Sequence, residues 1–354
     1  MDNIKRLKLP KGADAALITS DINRRYFTGM KSSAGYVLAF EDIAYLIIDF
    51  RYIEKARNTV TSCEVIEQKI IYEQIADLMK KHGAKSLAIE ASHMTVAMLD
   101  MFRLKLEHIE FITTNELSRN INDLRMIKSE EELQKIQKAQ EIAEAAFDNV
   151  LNVIKPGVTE REISLALDEY MLRHGAEELS FETIALTGKN TSMPHGVPSE
   201  DVRVQSGEFV LMDFGAVYEG YHSDMTRTVC VGQPTDEMRE VYDIVLQAQL
   251  KAIAEVRSGI TGMELDSIAR NLISANGYGE AFGHSLGHGV GMEVHELPTA
   301  SSKSKTVFKP NMVVTVEPGI YLPDKFGVRI EDFVAVTEKS CHNFTKCPKN
   351  LIIL

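Results

Sequence analysis

Residues Glu208–Val231, EFVLMDFGAVYEGYHSDMTRTVCV, constrain the fold more than any other stretch. Apolar and β-branched residues fill both arms, and Tyr218, Glu219 and Gly220 supply turn chemistry, so the segment predicts an antiparallel hairpin. A two-residue loop at Tyr218 and Glu219 places Asp213 opposite Asp224, Gly215 opposite His222 and Val217 opposite Gly220. The two carboxylates then face each other with Cβ atoms ~5 Å apart. Such a pair needs either a proton on one member or a cation between them. The alternative is two aspartates on a solvated strand face, pointing apart, which a one-residue slip in register would produce.

A chain of 354 residues suggests two domains or one large one, with ample core. It carries 39 basic and 51 acidic residues, a net charge of -12, and no basic stripe, so nucleic-acid binding has no electrostatic footprint. No run of ~18 apolar residues predicts a membrane span. The start, MDNIKRLKLPKG, lacks the apolar core of a signal peptide. Cys63, Cys230, Cys341 and Cys347 are scattered without a C-x-x-C pair, which predicts free thiols in a reduced, cytoplasmic protein.

The first third alternates strand and helix signals. Strands are predicted at Ala15–Thr19, Tyr36–Phe40, Ala44–Ile48, Ser62–Ile66 and Ser86–Ile89, and helices at Arg51–Asn58, Tyr72–His82 and Thr95–Leu106. These make an α/β domain with a mixed sheet over 1–122, leaving 123–354 as a second domain. Ser129 followed by Glu130, Glu131 and Glu132 reads as a capping-box helix start. A second helix begins after Thr159, a short strand covers Phe181–Thr187, and a turn-rich loop leads to the hairpin. Helices at Thr235–Val256 and Gly262–Ala275 follow, then a Gly/His-rich loop, then strands at Met312–Val316 and Val328–Val336. Helix, helix, strands thus occurs twice, which suggests two related halves.

Further chemistry-bearing residues lie downstream. Glu317 in TVEPGIY and Glu331 in GVRIEDF are symmetric about Asp324, as partners across a strand return would be. Between the hairpins, GHSLGHGVGMEVHE brings His284, His288 and His295, with glycines that permit close backbone approach. Four converging carboxylates cannot all ionise without cations, and two divalent ions would balance them. Oxygen-rich ligation with one imidazole suits Mn first, with Co, Zn or Fe as alternatives. His295-Glu296 does not continue as H-E-x-x-H, because Thr299 stands where the second histidine belongs and Pro298 breaks the helix that motif needs.

In order, NRRYFTGM (Asn23–Met30), RMIKSEEEL (Arg125–Leu133), MDFGAVYEGYHSDMTRT, GHSLGHGVGMEVHE, VEPGIY and GVRIEDF resemble the signatures of the Xaa-Pro peptidases. These are prolidase and aminopeptidase P, of the creatinase/methionine aminopeptidase superfamily. The resemblance implies a creatinase-like α/β N-terminal domain and an α+β catalytic domain of the pita-bread fold. It implies Asp213, Asp224, His288, Glu317 and Glu331 as ligands of two divalent ions, with Asp224 and Glu331 shared between them. Glu317 would also take the proton of the attacking water. His195 and His295 would contact the scissile peptide, Arg329 and Thr226 would support the ligands, and His284 is either a supporting group or a loop histidine. Tyr26 reads as a core aromatic. The implied activity is dimetal hydrolysis of Xaa-Pro dipeptides, with Xaa-Pro aminopeptidase as the alternative and an inactive peptide-binding relative behind both. The implied partners are small peptides with proline second and a second copy in a homodimer, with no organic cofactor. Methionine aminopeptidase shares the ligand types but lacks the N-terminal domain, and creatinase lacks the metal set.

Overall fold

The structure, a computed structural model, describes residues 3–354. Its backbone contacts divide into two units, Met1–Arg125 and Met126–Leu354.

Among the described residues, the first unit is built on one mixed sheet in the order β4-β3-β2-β1-β5-β6. The strands are β1 (Ala15–Ile18), β2 (Tyr36–Ala39), β3 (Ala44–Ile48), β4 (Glu64–Glu67), β5 (Ser86–Ile89) and β6 (Glu110–Ile112). β1 is four apolar residues, all buried, as a central strand covered on both faces should be. It pairs antiparallel with β2 and parallel with β5. Helices α1 (Asp21–Thr28), α2 (Ile53–Thr59), α3 (Ile71–Lys81), α4 (Val96–Lys105) and α5 (Glu116–Met126) complete it. Sequence reading did not place α1, β6 or α5. For α1 the signals were present: Ser20 caps it by accepting from the Asn23 amide, and Gly29 ends it in the left-handed region. NRRYFTGM lies on this helix and supplies Arg24, a buried guanidinium bonded to Asp21, Ser32 and the carbonyls of Thr19 and Gly35. Tyr26 is buried edge-on against Phe27, in keeping with a core role.

The second unit repeats one plan. Helices α6 (Glu130–Val150) and α7 (Glu160–Arg173) precede β7 (Glu178–Leu179), β8 (Ile184–Thr187), β9 (Glu208–Phe214), β10 (Ala216–Tyr218), β11 (Tyr221–His222) and β12 (Met225–Val231). Helices α8 (Asp236–Glu255) and α9 (Gly262–Ala275) then precede β13 (Gly287–Gly289), β14 (Glu296–Ala300), β15 (Val313–Val316), β16 (Gly319–Leu322), β17 (Phe326–Arg329), β18 (Asp332–Val336) and β19 (Cys341–Asn343). Full capping boxes start α6 (Ser129 with Glu132), α7 (Thr159 with Glu162) and α9 (Thr261 with Glu264). Each half has its own core. One joins Ile142, Phe147 and Leu167 to Val210, Met212 and Phe214 of β9. The other joins Val245 and Leu265 to Val314, Val316 and Val334.

The hairpin register differs from the sequence reading. Tyr218 pairs with Tyr221, so the loop is Glu219-Gly220, both at positive φ as a type I′ turn requires. Asp213 therefore lies opposite Thr226, and Val217 opposite His222. The slip is two residues. Because strand faces repeat every two residues, Asp224 keeps its face and becomes a diagonal neighbour of Asp213. The ladder is interrupted at Gly215, where a Cβ would lie 2.0 Å from the Ser223 carbonyl oxygen. The second strand return matches its expectation. Gly319 pairs with Arg329 and Val316 with Asp332, which leaves Glu317 and Glu331 in register at the break between the two ladders.

Candidate metal centre

The candidate side chains are aimed by strands and by the breaks between them. On β9, Val210, Met212 and Phe214 enter the first half's core, so alternation turns Asp213 the other way. Asp224 sits in the break between β11 and β12. Glu317 and Glu331 occupy the breaks that follow β15 and β17. The Glu331 amide donates to the Thr226 carbonyl and the Glu317 amide to the Leu286 carbonyl, which fastens both breaks to neighbouring strands. His288 corrects the sequence reading: it is not in a loop but at the centre of β13, paired with Thr299 of β14. The glycines obscured this strand, yet they are what lets it form. A Cβ on Gly287 would lie 2.0 Å from the Thr315 carbonyl oxygen, and one on Gly289 would lie 2.4 Å from that of Leu297.

Asp213, Asp224, His288, Glu317 and Glu331 line one cavity of about 540 Å³, together with His195, His284, His295 and Arg329. One donor atom each from Asp224, His288 and Glu331 fall within 4.8 Å of one another. His288 Nε2 lies 3.5 Å from Asp224 Oδ2 and 3.3 Å from Glu317 Oε1. Its Nδ1 lies 3.1 Å from the Gly289 carbonyl oxygen, which favours the proton on Nδ1 and leaves Nε2 for the cluster.

A web of donors holds the carboxylates from behind. Arg329 is buried and donates to Asp213 Oδ2 at 2.6 Å, to the Tyr321 hydroxyl at 2.8 Å and to Thr226 Oγ1 at 3.0 Å. Thr226 donates to Glu331 Oε2 at 2.7 Å, and Thr315 to Glu317 Oε1 at 3.1 Å. His284 Nε2 is 2.9 Å from the Tyr321 hydroxyl, so this histidine belongs to the supporting web. Sequence reading assigned no role to Tyr321 or Thr315. Thr315 lies two residues before Glu317 on β15 and Tyr321 four after it on β16, and that even spacing was the available signal.

The electrostatics are those of too many acids in one place. Burial, then Glu331, Asp213 and Glu317, push the Asp224 carboxyl well above its usual range. Burial, then Glu317 and Asp213, do the same to Glu331. Burial acts in the same sense on Glu317, but the hydrogen bond and charge of His288 outweigh it and hold Glu317 down at about 2. Burial opposes a proton on His288, yet Glu317 raises it. Without a cation, burial and mutual repulsion favour protons on Asp224 and Glu331. Two buried oxygens, Asp213 Oδ1 and Glu331 Oε1, have no hydrogen-bond partner among the described residues. Unsatisfied buried acceptors are costly, and a divalent ion is the partner that fits a set of carboxylates with one imidazole. The residues present therefore fit a metal centre.

Comparison with known proteins agrees with this geometry. Residues 134–338 match the metallopeptidase family M24, and residues 3–127 match the creatinase/prolidase N-terminal domain. An Xaa-Pro dipeptidase of Pyrococcus horikoshii is 41% identical over 96% of this chain and 94% of its own. The structure of an Xaa-Pro dipeptidase from Bacillus anthracis superposes with a TM-score of 0.95 at 42% identity, covering 99% of both chains. That of an X-Pro aminopeptidase from Thermotoga maritima superposes at 0.92 and 38% identity, covering 97% of this chain and 98% of that one. The chain belongs to metallopeptidase family M24, with a creatinase/prolidase N-terminal domain ahead of a pita-bread catalytic domain.

Proposed function

We propose that the protein is a dimetal Xaa-Pro dipeptidase. The observation that carries this is the convergence of Asp213, Asp224, His288, Glu317 and Glu331 on one cavity, with two buried carboxylate oxygens left over for cations. These five side chains would hold the ions, Mn first. When bound, two such ions supply a water acidic near neutral pH and a polarised carbonyl. Glu317 accepts the proton of the attacking water. Burial, then the charge of His288, holds His295 below the usual imidazole range. As a neutral N–H donor it meets the negative charge that develops on the scissile carbonyl oxygen, where preorganised donors count most. His195, on the loop that follows β8, contacts the peptide. Arg329 keeps Asp213 oriented. Phe181, Ile184 and Val294 are among the residues lining the cavity and offer apolar surface for a pyrrolidine ring.

The proposal includes an N-terminal domain ending near residue 122, a homodimer by family resemblance, and a cytoplasmic location, which four free thiols suit. The test of function is hydrolysis of an Xaa-Pro dipeptide. A chelator should abolish it and Mn restore it, and full activity in protein shown to be metal-free by elemental analysis would refute the assignment.

A second reading, Xaa-Pro aminopeptidase, is favoured by one feature. Arg329 is the only Lys or Arg among the described residues lining the cavity, and each of its nitrogens is already hydrogen-bonded. A dipeptide's free carboxylate would therefore meet imidazoles and hydroxyls but no uncommitted guanidinium or ammonium group. The ratio of kcat/KM for a dipeptide and its C-terminally extended tripeptide separates the readings, and a ~10-fold tripeptide preference, about 1.4 kcal/mol, selects the second.

A further inference from the structure

The wall of the cavity that carries His195 is a loop with little regular structure. It leaves β8, makes a 3-10 turn over Gly188–Ser192, and runs through Met193-Pro194-His195-Gly196-Val197-Pro198 to Ser199. Two prolines remove backbone donors from this stretch, so no ladder can hold it. Side chains from outside hold it: Arg329 Nη1 donates to the Pro194 carbonyl at 3.4 Å, and one carboxylate spans its two ends. Glu160, the first residue of α7, is wholly buried and does not line the cavity. Its Oε1 accepts the Thr187 amide at 2.8 Å and Asn190 Nδ2 at 3.0 Å, and its Oε2 accepts the Ser199 amide at 3.0 Å. A single carboxylate thus grips the residue before the loop, a residue in its turn and the residue at its end. The backbone of α7 adds the Arg161 amide to the Ser199 carbonyl at 3.1 Å. On the other flank Thr191 Oγ1 accepts from the Gly327 amide at 2.7 Å, which ties the turn to β17.

We propose that Glu160 is a positioning residue for His195: its carboxylate sets the path of the loop and so the place of the imidazole over the substrate. The inference rests on the reading of His195 as a substrate contact. The chemistry demands a carboxylate, because both oxygens face donors. Glutamine would turn an NH₂ group against one of those N–H groups and open one end of the loop.

The experiment is a double-mutant cycle on the full-length, Mn-loaded protein with an Xaa-Pro dipeptide, using Glu160→Gln, His195→Ala and the pair. Misplacing a reacting group by ~1 Å can cost ~10²-fold, so Glu160→Gln should lower kcat/KM by ~10- to 100-fold with metal content retained. Its loss should divide between kcat and KM as that of His195→Ala does. In the His195→Ala background the same change should cost less than ~2-fold, since coupled residues are non-additive. Multiplicative losses, or wild-type kinetics for Glu160→Gln, overturn the inference. Wild-type kinetics for His195→Ala would instead overturn the reading of His195, and the inference with it. Should Glu160→Gln fail to fold, Asn190→Ala removes one of the three donors and replaces it in the cycle. A loss that vanishes without His195 supports the role, and a loss that persists overturns it.

Discussion

Burial and neighbouring carboxylates raise the Asp224 and Glu331 carboxyls in the metal-free cluster, which favours their protonated forms. A carboxyl must lose its proton to ligate, so loading Mn should release protons, and affinity should weaken as pH falls. Calorimetry in two buffers of different ionisation enthalpy at one pH measures this, and identical heats in both would contradict it. The same residues separate ligand from substrate contact. Asp224→Asn or Glu331→Gln should lose metal and nearly all activity. His195→Ala and His295→Ala should keep metal while losing ~10²-fold or more in rate, the usual cost of a missing donor at a developing charge. Elemental analysis beside kinetics decides, and a histidine variant that lost metal while Asp224→Asn kept it would reverse the roles.

Strand breaks present three of the ligands, Asp224, Glu317 and Glu331, while Asp213 and His288 stand on β9 and β13. This explains what the sequence disclosed and what it hid. The Glu317 and Glu331 register was legible because a three-residue return, with Asp324 at positive φ, is symmetric in the chain. The hairpin was misread by two because Tyr218-Glu219 and Glu219-Gly220 are both plausible loops, and only the backbone shows that the positive φ falls at Glu219 and Gly220. The face survived the error because it depends on parity alone. β13 was invisible since Gly-His-Gly has no β propensity, and the strand exists because its partners come close enough to need glycine. Gly215 tests this idea at the break beside Asp224. Its missing Cβ would meet backbone, which cannot swing aside as a side chain can. Gly215→Ala should cost ~1–3 kcal/mol, the usual penalty of overpacking, and should lower metal occupancy too. Urea unfolding and metal analysis measure both, and wild-type values would show that the break relaxes freely.

At the scale of the molecule, the two units carry unequal chemistry. Every candidate ligand lies in 126–354, and the resemblance gives the first unit no ligand of its own. Hydrogen exchange with and without Mn should therefore show added protection around Asp213–Asp224, His288 and Glu317–Glu331, and none originating in 3–125. Equal protection in both units would refute that division. Within the second unit the ligands come from both repeated halves: Asp213 and Asp224 from the first, His288, Glu317 and Glu331 from the second. This bears on the order of synthesis. The first half leaves the ribosome with two aspartates and no imidazole or glutamate to complete the site, so it offers a passing ion only a weak, open pair of oxygens. The complete cage exists only after the second half has been made and has folded against the first. Since selectivity at such donor sets rests on geometry, ligand type and metal availability rather than raw affinity, the metal pool of the compartment in which the second half closes acts beside the donor set in deciding which ion is loaded.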